Sequence, residues 1–557
     1  MSNISTMDNF LRNAVENFVQ TVVFVDDKIY APSPSGTVIE EKKVSAPKTR
    51  KPSTKSAEKQ ISNASDVVVE KTEEEALFSP HDIQASFAKK RIVCSLHQPP
   101  KRTTVGVESV TYKLCTCADI IIVDWDLYGD SGVKAKTLVE NLVIQSLEED
   151  PHQLRLVLIY TDTPDLFDIS NQIYERLTAK ISHKIEYKAA DKGLAFHTLN
   201  ARVVVLGKPA QRRDEFKPFE VSEAELADRS VDEYCKLADG MLQGGILVGL
   251  AAIRKQSRKI LTKFHSGLDA AFLSHRALGL PHEEAFDHII PLLVAEIEAV
   301  LEDSLPIPLI SDTVISNWCK EKWKPASHAT KFVPQTVNVH EFAADFCTKG
   351  MGIAGSYTHG NNSDLEKTIK KLKENPPKWP SVDAPHFKTL TSYLSKDLIG
   401  TDLRELSVLL SQRTYYGDNR HLTLGAIIRE TEGDKRYLLC LQPTCDCVRL
   451  TKESTFVFCL LQEAKGDKAT HVVKNSKDFT DLIYKPKSEN CVILMFKPSK
   501  GFVAANKLEF ANHPDGRGYQ WIAQLKPQHA QRAAEQFARE LSRVGLTESE
   551  WMRLKAK

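Results

Sequence analysis

Short apolar runs, each closed by a polar side chain, punctuate the first two fifths of the chain. The run at 120–123 consists of four β-branched residues, which is typical of a strand buried on both faces of a parallel sheet. Helical periodicity at about 134–147 and 166–181 separates the later runs. Strands that alternate with helices predict right-handed crossovers and a parallel sheet. The predicted strands lie at 21–25, 91–96, 120–123, 154–161 and 202–207.

Polar side chains follow four of these strands at their carboxyl ends. Asp26 and Asp27 close the first strand, Asp124 closes the strand at 120–123, and Thr161 and Lys208 close the last two. In open α/β sheets, ligands bind beyond the carboxyl ends of the strands, where loops arrange side chains without disturbing the core. Carboxylates brought close together raise one another's pKa unless a divalent cation compensates their charge. Mg²⁺ suits such a site because it prefers hard oxygen ligands.

This set of strand ends, together with Gly132 eight residues after Asp124, resembles the receiver domain of two-component response regulators. The resemblance implies a receiver-like α/β fold, flavodoxin-like, with a doubly wound five-stranded parallel sheet. It also implies that a histidine kinase or a phosphotransfer protein is the partner that supplies phosphate.

The resemblance assigns a role to each acid. Asp124 would be the phosphoacceptor, attacking as a carboxylate nucleophile and forming an acyl phosphate. Mg²⁺ would be bound directly by Asp27 and Asp124, through water by Asp26, and by the backbone carbonyl of Asp126.

Lys208 and Thr161 would contact the phosphoryl group, and the inward movement of the threonine is the family's switch. The sequence departs from the receiver pattern at three positions. Asp162 replaces a small residue, Val205 replaces the aromatic residue that turns inward with the threonine, and Tyr128 replaces a common proline. These departures bear on switching more than on phosphoryl acceptance.

Composition divides the chain of 557 residues into three predicted domains. Residues 1–218 would form the receiver, 219–415 a mostly helical region, and 416–557 a C-terminal α+β domain. Within the receiver, residues 31–79 are basic and rich in Ser, Pro and Thr, so we expect a disordered insertion that is either a passive loop or an arm for an acidic partner. The stretch from Ser182 to Asn200 exceeds what a receiver needs and could add a hairpin.

In the helical region, Ser222-Glu-Ala-Glu225 predicts a capping-box start for a helix that continues towards Phe264. His275 loosely resembles a phosphotransfer histidine, although packing or surface exposure is the commoner role for a histidine on a helix. Further helices are predicted at 283–301, 313–322, 339–349, 364–373 and 387–412.

The last domain alternates strands with turns and ends in an amphipathic helix at about 530–544. Cys440, Cys445 and Cys447 cluster there without a Cys-x-x-Cys pair, which favours buried structural cysteines over a zinc site. No phosphate loop, nucleophile triad or nucleotide fingerprint is found in this domain.

Charge and hydropathy narrow the classes of function. The chain has 74 basic and 73 acidic residues and a net charge of +1, which gives no reason to expect nucleic-acid or membrane binding. No signal peptide is recognised, and the longest apolar stretch, 244–253, is too short to cross a bilayer. We therefore expect a cytoplasmic protein.

Taken as a whole, the chain resembles receiver proteins encoded beside histidine-kinase-type ATPases in bacterial phosphorelays, including antiphage Detocs-like systems. The leading hypothesis is a phosphorelay response regulator that stores phosphate or signals to a downstream protein through a C-terminal part that does not bind DNA. Two alternatives stay open. One is an effector enzyme in the C-terminal part, and the other is a pseudo-receiver scaffold that never takes phosphate.

Overall fold

The computed structural model forms two compact units. The first contains residues 1–323 and 340–353, and the second contains 324–339 and 354–557. The structure describes residues 6–30, 79–102, 104–148, 153–181, 185–187, 191–198, 200–210, 212–278, 289–305, 309–325, 337–350, 394, 401–414, 420–464, 469–475, 478–506, 508–510 and 516–542.

The first unit is built on a seven-stranded sheet, ordered β2-β1-β3-β4-β7-β6-β5. Neighbouring strands from β2 to β7 are parallel, whereas β5 and β6 form an antiparallel hairpin at the β7 edge. The predicted five-stranded parallel sheet is therefore confirmed, and the added hairpin lies in the stretch from Ser182 to Asn200. The strands are β1 (Thr21–Val25), β2 (Val93–His97), β3 (Ile120–Val123), β4 (Arg155–Thr161), β5 (Glu186–Tyr187), β6 (Ala195–His197) and β7 (Ala201–Gly207).

Helices cover both faces of this sheet, and the strands β3, β4 and β7 are therefore buried along their whole length. The helices α3, α4 and α5 pack beside one another, and α1, α2 and α6 form a second group. The helices of this unit are α1 (Thr6–Phe18), α2 (Pro80–Lys89), α3 (Val110–Thr116), α4 (Val133–Glu148), α5 (Leu166–Ile181), α6 (Leu226–Leu237), α7 (Met241–Lys263), α8 (Asp269–Leu278), α9 (Ile289–Ser304), α10 (Asp312–Asn317) and α11 (Val339–Lys349).

The helix predicted from Ser222 towards Phe264 is two helices, and its predicted start is wrong. The Ser222 hydroxyl donates to the Glu225 carboxylate at 2.8 Å, so these side chains bond each other and do not cap the backbone. The first helix, α6, begins at Leu226 and ends at Leu237, and α7 begins after Gly240. The break falls at Asp239-Gly240, a pair with low helix propensity.

The other helices predicted between 283 and 412 agree with the structure to different degrees. The helix α11 has the predicted bounds 339–349, and α9 begins at Ile289 within the predicted span 283–301. The span 313–322 contains most of α10 followed by a π-helical turn at Trp318–Lys322. The prediction at 364–373, the first part of 387–412 and nearly all of the 31–79 insertion lie outside the described residues.

The second unit contains an eight-stranded antiparallel sheet, ordered β11-β12-β10-β9-β8-β15-β14, with β13 also paired to β10. An apolar cluster lies on each face, and Ala530, Ala533 and Phe537 of the closing helix belong to one of them. The elements are β8 (Ala426–Glu430), β9 (Tyr437–Cys440), β10 (Ser454–Glu463), β11 (His471–Asn475), β12 (Asp478–Tyr484), β13 (Cys491–Phe496), β14 (Glu509–Phe510), β15 (Tyr519–Gln524), α12 (Thr401–Ser411) and α13 (Pro527–Leu541).

The cysteine cluster of this unit is only partly as predicted. Cys440 and Cys447 are buried, but Cys445 is exposed because it lies on a 3₁₀ turn at the surface. Within the described part of the chain, no three His, Cys, Asp or Glu side chains form a group that could hold a metal ion. None of the described helices has the length and apolar character needed to span a membrane.

Candidate functional site

The parallel register brings the predicted site residues to one edge of the first unit's sheet. Val25 pairs with Val123, and Val123 pairs with Ile159. The backbone N–H of Asp124 donates to the Val25 carbonyl at 2.8 Å, and that of Lys208 donates to the Thr161 carbonyl at 2.7 Å. The side chains that follow β1, β3, β4 and β7 therefore meet beyond the carboxyl ends of these strands.

A buried lysine joins two of the acids. The Lys208 ammonium donates to Asp124 Oδ1 at 2.7 Å and to Asp26 Oδ2 at 3.1 Å. All three residues are buried. A cation between two carboxylates compensates the charge that would otherwise make their burial costly.

Burial also shifts the pKa values of this group. Burial raises the pKa of Asp124 to about 6, with Lys208 opposing the shift and Asp26 reinforcing it. For Lys208, burial disfavours the charged form, but Asp124 and Asp26 outweigh it and raise the pKa of the ammonium. Lys208 therefore stays charged, and Asp124 remains close to the range in which it can act as a nucleophile at neutral pH.

Backbone amides hold the remaining oxygens of the two buried acids. The N–H of Asp126 donates to Asp124 Oδ2 at 3.0 Å, and that of Lys28 donates to Asp26 Oδ1 at 2.7 Å. These bonds fix both carboxylates without bulky side chains. The orientation of Asp124 thus depends on the loop that follows β3.

Asp27 has a buried oxygen that lacks a protein partner. Its Oδ2 accepts from the backbone N–H of Tyr128 at 3.1 Å, whereas Oδ1 is buried without a hydrogen bond. Such an atom costs free energy unless something satisfies it. A hard cation would satisfy this oxygen, so the orphaned Oδ1 is the observation that fits the expected Mg²⁺, although the described acids do not form a ready group of three metal ligands.

The Thr161 hydroxyl is bonded inside its own loop. It donates to Thr163 Oγ1 at 3.0 Å and accepts from the Thr163 backbone N–H at 3.1 Å. Thr161 is fully buried at the end of β4. To contact a phosphoryl group, this hydroxyl would have to exchange the Thr163 bond for a new one.

The residue after Thr161 is held by an ion pair. Asp162 lies 3.2 Å from the Lys28 ammonium, and both side chains are about half exposed. Burial opposes ionisation of Asp162, but Lys28 outweighs it and lowers the pKa of the carboxyl. The pair links the loop after β1 to the loop after β4, so the negative charge of Asp162 is partly compensated.

The other two departures from the receiver pattern have structural substitutes. Tyr128 adopts φ 63° and its hydroxyl donates to the Pro99 carbonyl at 2.6 Å, which ties the loop after β3 to the segment after β2. Val205 is buried within β7. The aromatic ring near the lysine is instead Tyr160, whose centroid lies 5.5 Å from the Lys208 ammonium and whose hydroxyl donates to the Val221 carbonyl at 2.8 Å.

Gly132 is required in the loop after β3. Its φ is 81°, a conformation that favours glycine, and an added Cβ would overlap the ring of Trp125. The neighbouring Asp130 accepts from the N–H groups of Gly132 and Lys134 at 3.0 and 2.9 Å, which starts α4. These contacts give the loop a single compact path.

Arg212 is a further residue of the candidate site, and no sequence motif predicts it. Its guanidinium side chain is fully buried and donates to the carbonyls of Thr161 at 2.8 Å, Thr163 at 3.0 Å and Lys208. It also pairs with Glu220 at 3.2 Å. One side chain thus holds the backbone at the last residue of β4 and at the residue that follows β7.

His275 lies apart from these residues in sequence and is exposed on α8. The acids, the hydroxyl and the lysine that end the strands are brought together by the parallel sheet. The exposed position of His275 agrees with the commoner alternative that we expected for it, a surface residue on a helix.

Residues 18–213 match a family model described as the Response receiver domain. No curated protein and no solved structure shows significant similarity to the chain.

Proposed function

Because residues 18–213 form a divergent response-regulator receiver domain, we propose that this protein accepts a phosphoryl group on Asp124 from a histidine kinase or a phosphotransfer protein. The observation that carries the proposal is the buried Asp124 at the end of β3, bonded to Lys208 and oriented by the Asp126 amide. The alternative of a scaffold that never takes phosphate is less favoured, because such a scaffold has no need of this buried charge cluster.

In the proposed transfer, an Asp124 carboxylate oxygen forms a bond to phosphorus while the bond from phosphorus to the donor's histidine nitrogen breaks. The donor nitrogen leaves with the electron pair of the broken bond and takes up a proton from solvent, so the products are an acyl phosphate on Asp124 and a neutral donor histidine. Lys208, 2.7 Å from the carboxylate before transfer, would pair with a phosphoryl oxygen afterwards. Thr161 would bond another phosphoryl oxygen by leaving Thr163.

Mg²⁺ would be held by Asp27 and Asp124, with Asp26 acting through water and the Asp126 backbone carbonyl as a further ligand. Bound there, the ion would neutralise charge between the acids and the incoming phosphoryl group. The orphaned Oδ1 of Asp27 supports this assignment. One carboxylate oxygen of Asp126, Oδ1, accepts from the backbone N–H of Ser131 at 2.8 Å, and the ligand that we propose from this residue is its backbone carbonyl.

We further propose that the output is a protein contact made by the C-terminal part, either to a downstream partner or to the receiver. Coupling of this kind is limited by the difference in affinity between the phosphorylated and unphosphorylated states. Phosphate storage and a role in antiphage defence belong to the same proposal. An effector enzyme in the C-terminal part is the alternative of a different class.

The deciding experiment is phosphoryl transfer from a phosphohistidine donor to the purified full chain. We expect Mg²⁺-dependent labelling and beryllofluoride binding, both lost in Asp124→Asn. Asp165→Asn is the matched control, because Asp165 caps α5 through backbone N–H groups and asparagine can do the same. Label that persists in Asp124→Asn would place the acceptor elsewhere, with His275 the next residue to change.

A further inference from the structure

Exposed apolar side chains cluster where the C-terminal end of α7, the helix α8 and the N-terminal end of α9 follow one another in the chain. No residue of α8 or α9 is buried. An isolated helix shorter than about 12–15 residues is marginal in water, so the ten-residue α8 needs a covering surface. We call the exposed apolar side chains of this region the apolar arm: Leu261, Phe264, Leu268, Leu273, Leu278, Ile289, Ile290, Leu292, Leu293 and Val294.

The apolar arm is large enough for a specific interface. Its side chains are between 41% and 82% exposed. At roughly 100 Å² for a fully exposed aliphatic side chain, ten half-exposed ones present on the order of 500 Å². Two such surfaces bury about 1,000 Å² together, which is where specific interfaces begin. A patch of this size is also near the upper end of what monomers expose.

Charge on the same helices is arranged in two opposite rows. Exposed basic residues follow the C-terminal half of α7, including Arg258 and Lys259. Exposed acids follow α9, including Glu298 and Glu302. A surface that carries both rows is complementary to itself.

The two helices are antiparallel neighbours within one chain. Lys263 at the end of α7 pairs with Glu296 of α9, while a Cβ built on Gly249 would lie 3.6 Å from Leu301. A two-fold rotation about an axis along the helices preserves heights, so it places the basic row of one α7 level with the acidic row of the partner's α9. Four-helix bundles pack nearly parallel and antiparallel helices around an apolar core, and a two-fold interface brings the same surface of both copies together.

We propose that two copies of this chain associate through the apolar arm, with α7 of one copy beside α9 of the other. The occupant is a second copy because the exposed apolar area reaches what a specific interface needs, and the basic row of α7 and the acidic row of α9 are opposite in charge. This inference concerns α7–α9 and does not depend on phosphorylation of Asp124.

The first test is the mass of the full chain in solution, measured by sedimentation equilibrium at micromolar concentration. We expect two chain masses for the wild type and one for the double variant Ile290→Lys and Leu293→Lys. The matched control is Leu409→Lys with Leu410→Lys, which changes two similarly exposed leucines of α12. The control should remain a dimer.

The second test exchanges exposed charges, which leaves folding of each chain intact. Reversing the basic pair, Arg258→Glu with Lys259→Glu, should weaken association at least tenfold, and so should reversing the acidic pair, Glu298→Lys with Glu302→Lys. Mixing the two variants should give a mixed dimer that is tighter than either alone. A wild-type chain that stays monomeric at tens of micromolar, or variants whose association is unchanged, would overturn the proposal.

Discussion

At the scale of single residues, Arg212 shows how the site depends on atoms that a sequence pattern does not reveal. The meeting of Asp124 and Lys208 could be predicted because both follow apolar strands at the same edge of a parallel sheet. Arg212 acts through backbone carbonyls, which every residue has, so its position in the sequence gave no signal. It is a positioning residue whose guanidinium joins the loops after β4 and β7.

We expect Arg212→Gln to slow phosphoryl transfer to Asp124 by about tenfold or more, because small misplacements of positioned groups cost that much. The maximal rate should fall while the donor concentration for half-maximal rate changes little. The matched control is Arg213→Gln, since Arg213 is exposed and pairs with Asp165 and Glu215 at the surface. Equal maximal rates for the two variants would remove Arg212 from the site.

At the scale of elements, a buried ion network joins the edge hairpin, β7 and α6. The Arg202 guanidinium donates twice to Asp191, at 2.8 and 2.9 Å, and to Glu233 at 2.6 and 2.9 Å. Burial opposes ionisation of Glu233, but Arg202, Lys236 and Arg229 outweigh it and hold its pKa below the ordinary 4.5. The network therefore stabilises these elements only while its acids are ionised.

Glu233→Gln should lower the free energy of unfolding at pH 7 by about 3–5 kcal/mol, because it leaves the buried Arg202 with less compensation. A carboxyl whose folded pKa is lowered contributes stability above its ordinary pKa and loses it as pH falls through the folded pKa. The gap between wild type and variant should thus shrink below about pH 4.5. Denaturant titrations at several pH values measure it, with the exposed Glu175→Gln as a control that should change stability by less than about 0.5 kcal/mol. A gap that is constant down to pH 3 would contradict this account.

Elements could be predicted where one physical signal dominated. The strands β3 and β7 are uninterrupted apolar runs, and burial on both faces leaves few other structures for them. The Ser222–Glu225 pattern did not start a helix as predicted, because the two side chains form a hydrogen bond with each other instead of with backbone N–H groups. The strand β12 has no clear signal in the sequence, because Asp478 and Asp481 interrupt its apolar positions; its pairing with β10 and β11 decides its structure.

At the scale of the whole molecule, the described residues divide into a receiver-bearing unit and a unit with an antiparallel sheet. The near balance of 74 basic and 73 acidic residues gives no reason to expect groove binding. We expect neither random nor operon-upstream DNA duplexes to bind tightly at near-physiological salt, with or without beryllofluoride. Fluorescence anisotropy of labelled duplexes measures this. Tight, sequence-selective binding would make the protein a transcription factor instead of one that acts by protein contact.

The lysine between Asp26 and Asp124 also determines whether the chain needs a bound ion in order to fold. A site made only of acids would need its ion before the surrounding strands could close, as in small zinc domains that are unfolded without metal. Here Lys208 is an internal counter-ion, covalently present from synthesis and within 3.1 Å of both acids. A newly made chain can therefore complete its parallel sheet without a bound cation.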